Sequence, residues 1–375
     1  MSANSLSLLM VAPTAAPGGQ EDILFNLAVC LPALDVHPRV ISLHDGPLVD
    51  RLVAAQVGVS VVEAGRLRQP AHFIRTARAL RAALTQGHFD AVYSNMPKAH
   101  LYVTWGANRQ RVPSLWCQAN YPDPPGWVDR LATALPADAV IAESRDAVAA
   151  QERLAPAREV HLMHPGIDVE RFTLRSDPEL RRKHSIPLDA PLVSIVGRLQ
   201  PWKGQAEFIK AAALVARSSP TAHFAIVGGA ILGWEGDYPA ELERLATSVG
   251  LRDRTVFTGH TNEVASWMAA SDVVVNASEP EPFGLVVVEA MASGCAVVAL
   301  SKGGPRDVIE HGQTGLLCPS REPRVLAEAI VSLVNSDELR ARLGHAARVR
   351  VQSQFTREAM ASRFSGILRN TVEAV

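Results

Sequence analysis

Short apolar runs alternate with longer amphipathic stretches along almost the whole chain. Leu6 to Ala12 predicts a strand and Asp22 to Leu31 a helix. Arg39 to Leu43 and Val59 to Val62 predict strands, followed by a helix over His72 to Leu84. Asp90 to Ser94 and Ala139 to Ala142 add two further strands. Such alternation builds a parallel sheet covered on both faces, because each crossover helix buries its apolar stripe on the sheet. The pattern then pauses. Asp177-Pro178-Glu179 has the form of an N-cap with proline in the first helical position, opening a short helix to about His184. Ile186 to Pro191, with two prolines, reads as a linker. From Leu192 the alternation restarts, with strands at Leu192–Val196, His223–Val227, Thr255–Phe257, Asp272–Asn276 and Ala296–Ala299. The expected architecture is two doubly wound α/β sheets in series, joined near residue 188. Ligands of such sheets sit beyond the carboxyl ends of the strands, so the cleft between the two domains is the expected site.

Composition narrows the function classes. A chain of 375 residues that is 47% hydrophobic can bury more than one core. With 37 basic against 38 acidic residues, nothing in the net charge asks for nucleic acid. Cys30, Cys117, Cys295 and Cys318 lie far apart in mostly apolar surroundings, which reads as free thiols in a reducing compartment. The segment Met1 to Met10 has no basic residue before its short apolar run, so it is expected to be a first strand and not a signal peptide. No stretch approaches the roughly 18 apolar residues of a membrane span. A cytoplasmic location follows as the expectation. Asn276-Ala277-Ser278 matches a glycosylation triplet but ends an apolar strand, and is read as chance.

Two segments carry candidate chemistry. In Val196-Gly197-Arg198-Leu199-Gln200-Pro201-Trp202-Lys203-Gly204, Arg198 leaves the carboxyl end of a strand and Lys203 sits where a helix begins. A lysine is electrostatically misplaced there, because that helix end already carries positive partial charge. The conflict disappears if an anion binds, with amides, guanidinium and ammonium converging on a phosphate. Each charge-assisted bond contributes about 1.5–3 kcal/mol. Two solvated surface cations are the competing reading of this segment taken alone. The second segment runs from Glu279 to Gly294. Pro280, Pro282 and Gly284 make a stiff, tight approach of backbone to a ligand, and a helix is predicted to start near Gly284. Its first amides, from Phe283 to Leu285, then point outward. Glu289 falls in the early turns, flanked by apolar residues, where a carboxylate needs partners such as the two hydroxyls of a ribose. Simple stabilisation near a helix start is the alternative for Glu289.

At these residues the chain resembles the retaining GT-B glycosyltransferases, in particular glycosyltransferase family 4. The likeness rests on Glu281 and Glu289 with seven residues between them within EPFGLVVVEAMASGCAVVA, on VGRLQPWKG, on GGPRDVIEHGQTGLL, and on PTAAPGGQEDILFNLA after the first strand. It is looser between about Asp45 and Asp138. The resemblance implies two Rossmann-like domains facing across a cleft: an acceptor-side domain, 1–185, with a carboxy-terminal helix at about 356–375 packing back on it, and a donor domain, 186–355. It implies that Arg198 and Lys203 hold the donor diphosphate. Glu281 and the amides of Phe283, Gly284 and Leu285 would face the transferred sugar, and Glu289 the ribose. Gly18 and Gly19 would let backbone approach the phosphate, and His260 to Val264 would bound the base. The implied reaction moves a sugar from a UDP- or GDP-linked donor to a hydroxyl acceptor, saccharide, lipid-linked or small, without cofactor or metal. No Asp-x-Asp pair occurs in the chain, in keeping with that expectation.

Departures from the family concern the acceptor. Related enzymes often carry a histidine around Trp116 to Tyr121; here Gln118 and Asn120 stand in that run, and neither can act as a base. Together with Asn95 they are the candidate acceptor-side residues. Asp307 stands where a glutamate is common, and His100 and His164 read as structural. The missing histidine keeps open a catalytically impaired, nucleotide-sugar-binding regulatory subunit. A glycosidase using Glu281 and Glu289 would leave the arginine–lysine pair without a purpose. Neither a dinucleotide fingerprint after a strand nor a P-loop is present. Arg66, Arg68, Arg75, Arg78 and Arg81 lie in a stretch without acids between Glu63 and Asp90. Arg75, Arg78 and Arg81 can share a helix face opposite Ile74, Ala77 and Leu84. That face reads either as an ordinary solvated surface or as a weak peripheral contact with anionic lipid at the inner face of the membrane.

Overall fold

The computed structural model describes residues 5–65, 67–172, 177–230 and 236–375. These form two compact units, one holding the chain up to Ile167 together with Thr356–Val375, the other Asp168–Phe355.

In the first unit, seven strands lie parallel: β1 (Leu6–Ala12), β2 (Val36–Ser42), β3 (Gly58–Val61), β4 (Ala91–Asn95), β5 (Ser114–Gln118), β6 (Ala139–Ala142) and β7 (Val160–Leu162), in the order β3-β2-β1-β4-β5-β6-β7. Leu8 to Val11 of β1 are fully buried, as expected of a central strand covered on both faces. The helix Arg357–Glu373 belongs to this unit. Thr356 caps it by accepting from the Ala359 amide at 3.1 Å, Phe364 meets the Tyr93 ring edge-on at 5.0 Å, and Arg369 donates to Leu34 O at 2.7 Å. In the helix Pro70–Gly87 the buried side is Thr76, Ala77, Leu80 and Leu84, while Arg75, Arg78 and Arg81 are exposed, as is Arg68 just before it. Ile74 does not join the buried side as its spacing suggested; it is 43% exposed. Arg66 lies outside the described residues.

The second unit holds six parallel strands: β8 (Leu192–Val196), β9 (His223–Val227), β10 (Thr255–Phe257), β11 (Val273–Asn276), β12 (Ala296–Leu300) and β13 (Leu316–Cys318), ordered β10-β9-β8-β11-β12-β13. Val193, Ile195, Val275 and Val298 of its sheet pack with Phe208 and Val215 of the helix Gln205–Ser218 and with Leu326 and Ile330 of the helix Pro323–Val334. The unit begins earlier than the proline-rich segment 186–191 suggested. Asp177 caps the helix Pro178–Lys183, accepting from the Leu180 amide at 2.9 Å. From that helix the buried Arg181 donates to Ala270 O at 2.6 Å, Ala190 O at 2.7 Å and Asp272 Oδ2 at 2.8 Å. A guanidinium so engaged ties the helix to the sheet that follows it.

In each sheet the chain builds outward in both directions from two adjacent strands, β1 and β4 in one, β8 and β11 in the other. The loops after such strands diverge and leave a crevice between them.

Candidate active site

The site residues of the second unit gather on the loops after β8 and β11. After β8, Gly197 donates to Val227 O at 2.9 Å and Leu199 to Gly229 O at 3.3 Å, which fixes the segment along the end of β9. Arg198 between them is half-buried, and its carbonyl accepts from Gln205 Nε2 at 2.8 Å. Pro201–Lys203 form a single 3-10 turn, and Gly204, at φ +77°, joins it to the helix Gln205–Ser218. Only glycine fits there: a Cβ would lie 2.4 Å from Ala277 O, on the loop after β11. Glu279 donates from its amide to Trp202 O at 2.8 Å, a second tie between the two loops.

Those ties bring Lys203 to Glu281. Lys203 Nζ lies 2.9 Å from Glu281 Oε2 and 4.1 Å from the Trp202 ring centroid. Asn276 Nδ2, at the end of β11, donates to the same carboxylate oxygen at 3.3 Å. The side chains are 17% and 8% exposed, so the pair is largely shielded. Lys203 therefore sits two residues ahead of its helix with an anion supplied by the protein itself, and is not the exposed cation that its position in the sequence suggested. Asn276 is 5% exposed, which removes the glycosylation triplet from the surface.

The next residues are held as tightly. Gly304 donates to Glu281 O at 3.0 Å, and a Cβ on Gly303, at φ +70°, would lie 2.2 Å from that same oxygen. Phe283 is 2% exposed and packs 6.0 Å from Phe355. Gly284, at φ +95°, starts the helix Leu285–Ala292, whose first intrahelical bond is Val287 N to Gly284 O at 2.9 Å. The earlier amides of the turn have no intrahelical acceptor, which makes this helix start an anion or hydroxyl receptor. Leu285 and Glu289 on that helix are half-buried. His260 is exposed, after β10; its backbone abuts Gly229, where a Cβ would meet His260 N at 2.4 Å. Val264 opens the helix Val264–Ala270 and is half-buried. Lys302, 2.8 Å from Glu279 and unmarked in the sequence reading, holds that carboxyl below its ordinary range.

In the first unit, Gly18 and Gly19 open the helix Gly19–Cys30 after β1. Asn95, 1% exposed at the end of β4, donates to Gln20 O at 3.2 Å, so it joins the glycine loop. Register pairs Asn95 with Cys117, and Gln118, one residue on, faces the other side of the sheet. There it is fully buried, its amide donating to Asp129 Oδ1 and Gln151 Oε1, each at 3.1 Å. Asn120 is exposed. The three candidate acceptor residues are thus not brought together. His100 is stacked on Trp116 at 5.2 Å, and burial pushes its pKa down to about 3, a structural setting. None of the four cysteines is in a disulfide; Cys117, Cys295 and Cys318 are buried and Cys30 half-buried.

Two Rossmann-like parallel sheets, with a cation–carboxylate pair and a glycine-started helix at the switch point of the second, define the GT-B class. Comparison with known proteins agrees. The family "Glycosyl transferases group 1" matches residues 176–350, and "Glycosyltransferase Family 4" matches residues 17–171. A D-inositol 3-phosphate glycosyltransferase of Xylanimonas cellulosilytica is 30% identical over 91% of this chain and 85% of its own. That of Thermobispora bispora is 31% identical over 59% of this chain and 53% of its own, so that match spans about half of the relative. Among solved structures, Anabaena Alr3699/HepE in complex with UDP-glucose is 27% identical, with a TM-score of 0.85, over 99% of this chain and 100% of that one. The chain belongs to the group 1, family 4 glycosyltransferases and is a glycosyltransferase enzyme.

Proposed function

We propose that the enzyme transfers a sugar from a nucleoside diphosphate donor to an acceptor hydroxyl with retention of anomeric configuration, needing neither cofactor nor metal. The observation that carries this reading is the Lys203–Glu281 pair, 2.9 Å apart beside the start of the helix Leu285–Ala292. A diphosphate entering there takes over Lys203 and meets Arg198 and the amides of the helix start, while Glu281 is released toward the sugar hydroxyls. As the bond to the β-phosphate loosens, the two cations stabilise charge developing on the leaving diphosphate. The acceptor attacks from the leaving-group face, with a phosphate oxygen taking its proton, so no protein base is required. Glu289 holds the ribose, Gly18 and Gly19 approach the phosphate, and His260 to Val264 bound the base. UDP leads GDP as the base because a relative similar along its whole length binds UDP-glucose. The named relatives favour an inositol phosphate-like polyol among the acceptors.

Thermal-shift titration with UDP, GDP, UDP-glucose and GDP-mannose, followed by turnover of the stabilising donor and NMR of the product anomer, tests the proposal. Binding with neither transfer nor hydrolysis would instead identify the impaired regulatory subunit. An inverted product would overturn retention. Among the described residues no helix is long and apolar enough to cross a membrane. The exposed Arg68, Arg75, Arg78 and Arg81 are proposed to give weak contact with anionic lipid. Absence of co-sedimentation with phosphatidylglycerol vesicles at low salt would end that part.

A further inference from the structure

The amino-terminal unit has a polar constellation at its own switch point that the roles above do not use. Gln20, next to the glycine loop after β1, donates from Nε2 to Glu143 Oε1 at 2.7 Å. Glu143 follows β6 directly and is 2% exposed. The main-chain oxygen of Gln20 accepts from Asn95 Nδ2 at 3.2 Å, at the end of β4. Cys117 Sγ of β5 lies 3.9 Å from the same Glu143 oxygen, and Tyr93 OH lies 3.5 Å from Asn95 Oδ1. The ends of β4 and β6 therefore hold one glutamine, the first by its backbone and the second by its side chain, with Cys117 of β5 against Glu143.

The chemistry of the partners decides how that glutamine is turned. Gln20 Nε2 donates to Glu143 Oε1 at 2.7 Å, so the amide nitrogen faces Glu143 and the amide oxygen faces away. Gln20 Oε1 is buried and has no hydrogen-bond partner among the described residues. A buried, oriented acceptor without a donor is costly to maintain, and a substrate hydroxyl is the group that satisfies it. We infer that Gln20 presents Oε1 to a hydroxyl of the substrate, with Glu143 and Asn95 as the positioning residues that fix which end of its amide is shown. This rests on the proposed reading of the Gly18–Gly19 loop as substrate-facing. The hydroxyl belongs either to the transferred sugar or to the acceptor.

Hydrolysis of UDP-glucose, in which water is the acceptor, separates these sources (GDP-mannose replaces it if that is the donor turned over). Full-length wild type, Gln20→Leu and Glu143→Gln are compared for the affinity of UDP alone and for KM and kcat. Gln20→Leu is expected to leave UDP affinity within about twofold while changing one kinetic constant about three- to tenfold, the size of one hydrogen bond. A raised KM assigns the sugar hydroxyl; a lowered kcat at constant KM assigns the acceptor. Glu143→Gln keeps the shape but lets the Gln20 amide turn either way, so an intermediate change in the same constant is expected. A purely structural role would lower the melting temperature without separating UDP from UDP-glucose, and that result overturns the inference. So does wild-type KM and kcat in Glu143→Gln, which settles the matter even if Gln20→Leu fails to fold. If wild type binds no nucleoside diphosphate and turns over neither donor, the functional reading itself falls, and this inference with it.

Discussion

Replacing Lys203 with methionine removes an ammonium that has two tasks, neutralising Glu281 and, on the proposed reading, meeting the donor diphosphate. The geometry sets the size of each loss. With Lys203 gone, the Glu281 carboxylate, 8% exposed, keeps the Asn276 amide at 3.3 Å but no cation at 2.9 Å. Stranding one partner of a fully buried pair costs about 3–5 kcal/mol. Lys203 retains 17% exposure, so water reaches the pair and a cost nearer about 2–3 kcal/mol is expected. The lost charge-assisted contact to phosphate, about 1.5–3 kcal/mol, corresponds to a fall of roughly 10- to 150-fold in kcat/KM. Adding Glu281→Gln to the lysine variant removes the stranded charge. The double variant should recover most of the stability while activity stays at or below that of the single one. Urea unfolding measures the first quantity and donor turnover the second. A folded Lys203→Met enzyme with kcat/KM within threefold of wild type would refute the phosphate role. A double variant no more stable than the single would refute the stranded carboxylate as the source of the loss.

Three further outcomes follow from local geometry. Burial lowers the pKa of His100 from 6.5 to about 3, so the unfolded chain binds the proton more readily. Its contribution to stability is intact above pH 6.5 and is lost as pH falls toward 3. At pH 5 the loss is roughly 2 kcal/mol, and comparing unfolding midpoints of wild type and His100→Gln at pH 7.5 and 5 checks it. An equal drop in both proteins would count against His100. Gly303→Ala places a Cβ 2.2 Å from Glu281 O at φ +70°, whereas Gly312→Ala, at φ +75°, meets nothing within 4 Å. The second change should cost only the backbone strain, about 1–2 kcal/mol; the first should cost clearly more and depress turnover by shifting Glu281. Arg181→Leu strands two buried carbonyls and leaves Asp272, 30% exposed, without its cation, an expected loss of about 2–3 kcal/mol, with donor KM unchanged in the folded enzyme. A shifted KM would show that the helix Pro178–Lys183 reaches the donor site.

How far the fold could be read from the chain depended on what each element buries. The bounds of β1, β6, β8, β9 and β10 agree with the apolar runs that marked them, because strands covered on both faces are written as continuous hydrophobic stretches. β5 escaped notice. It begins at Ser114 and ends at Gln118, both buried, the first donating its amide to Asp138 Oδ2 at 2.9 Å and the second bonded to Asp129. Polar residues satisfied by distant partners erase the apolar signature of a strand. The helix Met96–Gln110 was missed for a related reason. Pro97, Ala99, His100, Leu101, Tyr102, Val103 and Thr104 are all buried, so no one-sided stripe remains for a 3.6-residue period to expose. β7 (Val-His-Leu) and β13 (Leu-Leu-Cys) were also missed although β10, equally short, was read at its bounds, so length alone does not decide.

The site divides along a different line. Positions adjacent to strand ends were legible, since a loop that follows a strand can be placed without knowing the sheet order. Pairings were not. Lys203 looked like a cation awaiting an outside anion, yet its partner stands 78 residues further along. That partner becomes visible only once β8 and β11 are known to be neighbours, because their loops then leave the sheet side by side. The same rule operates in the other unit, where β1 and β4 are the adjacent pair and Asn95 reaches the Gln20 backbone across 75 residues. An isolated charge or amide on the loop after one switch strand therefore directs attention to the loop after the other. Strand order has to be inferred before such residues are assigned to solvent or to a ligand. Applied here, that order turns Lys203 from an exposed cation into half of an ion pair with Glu281, and on the proposed reading the donor displaces Glu281 from Lys203 as it binds.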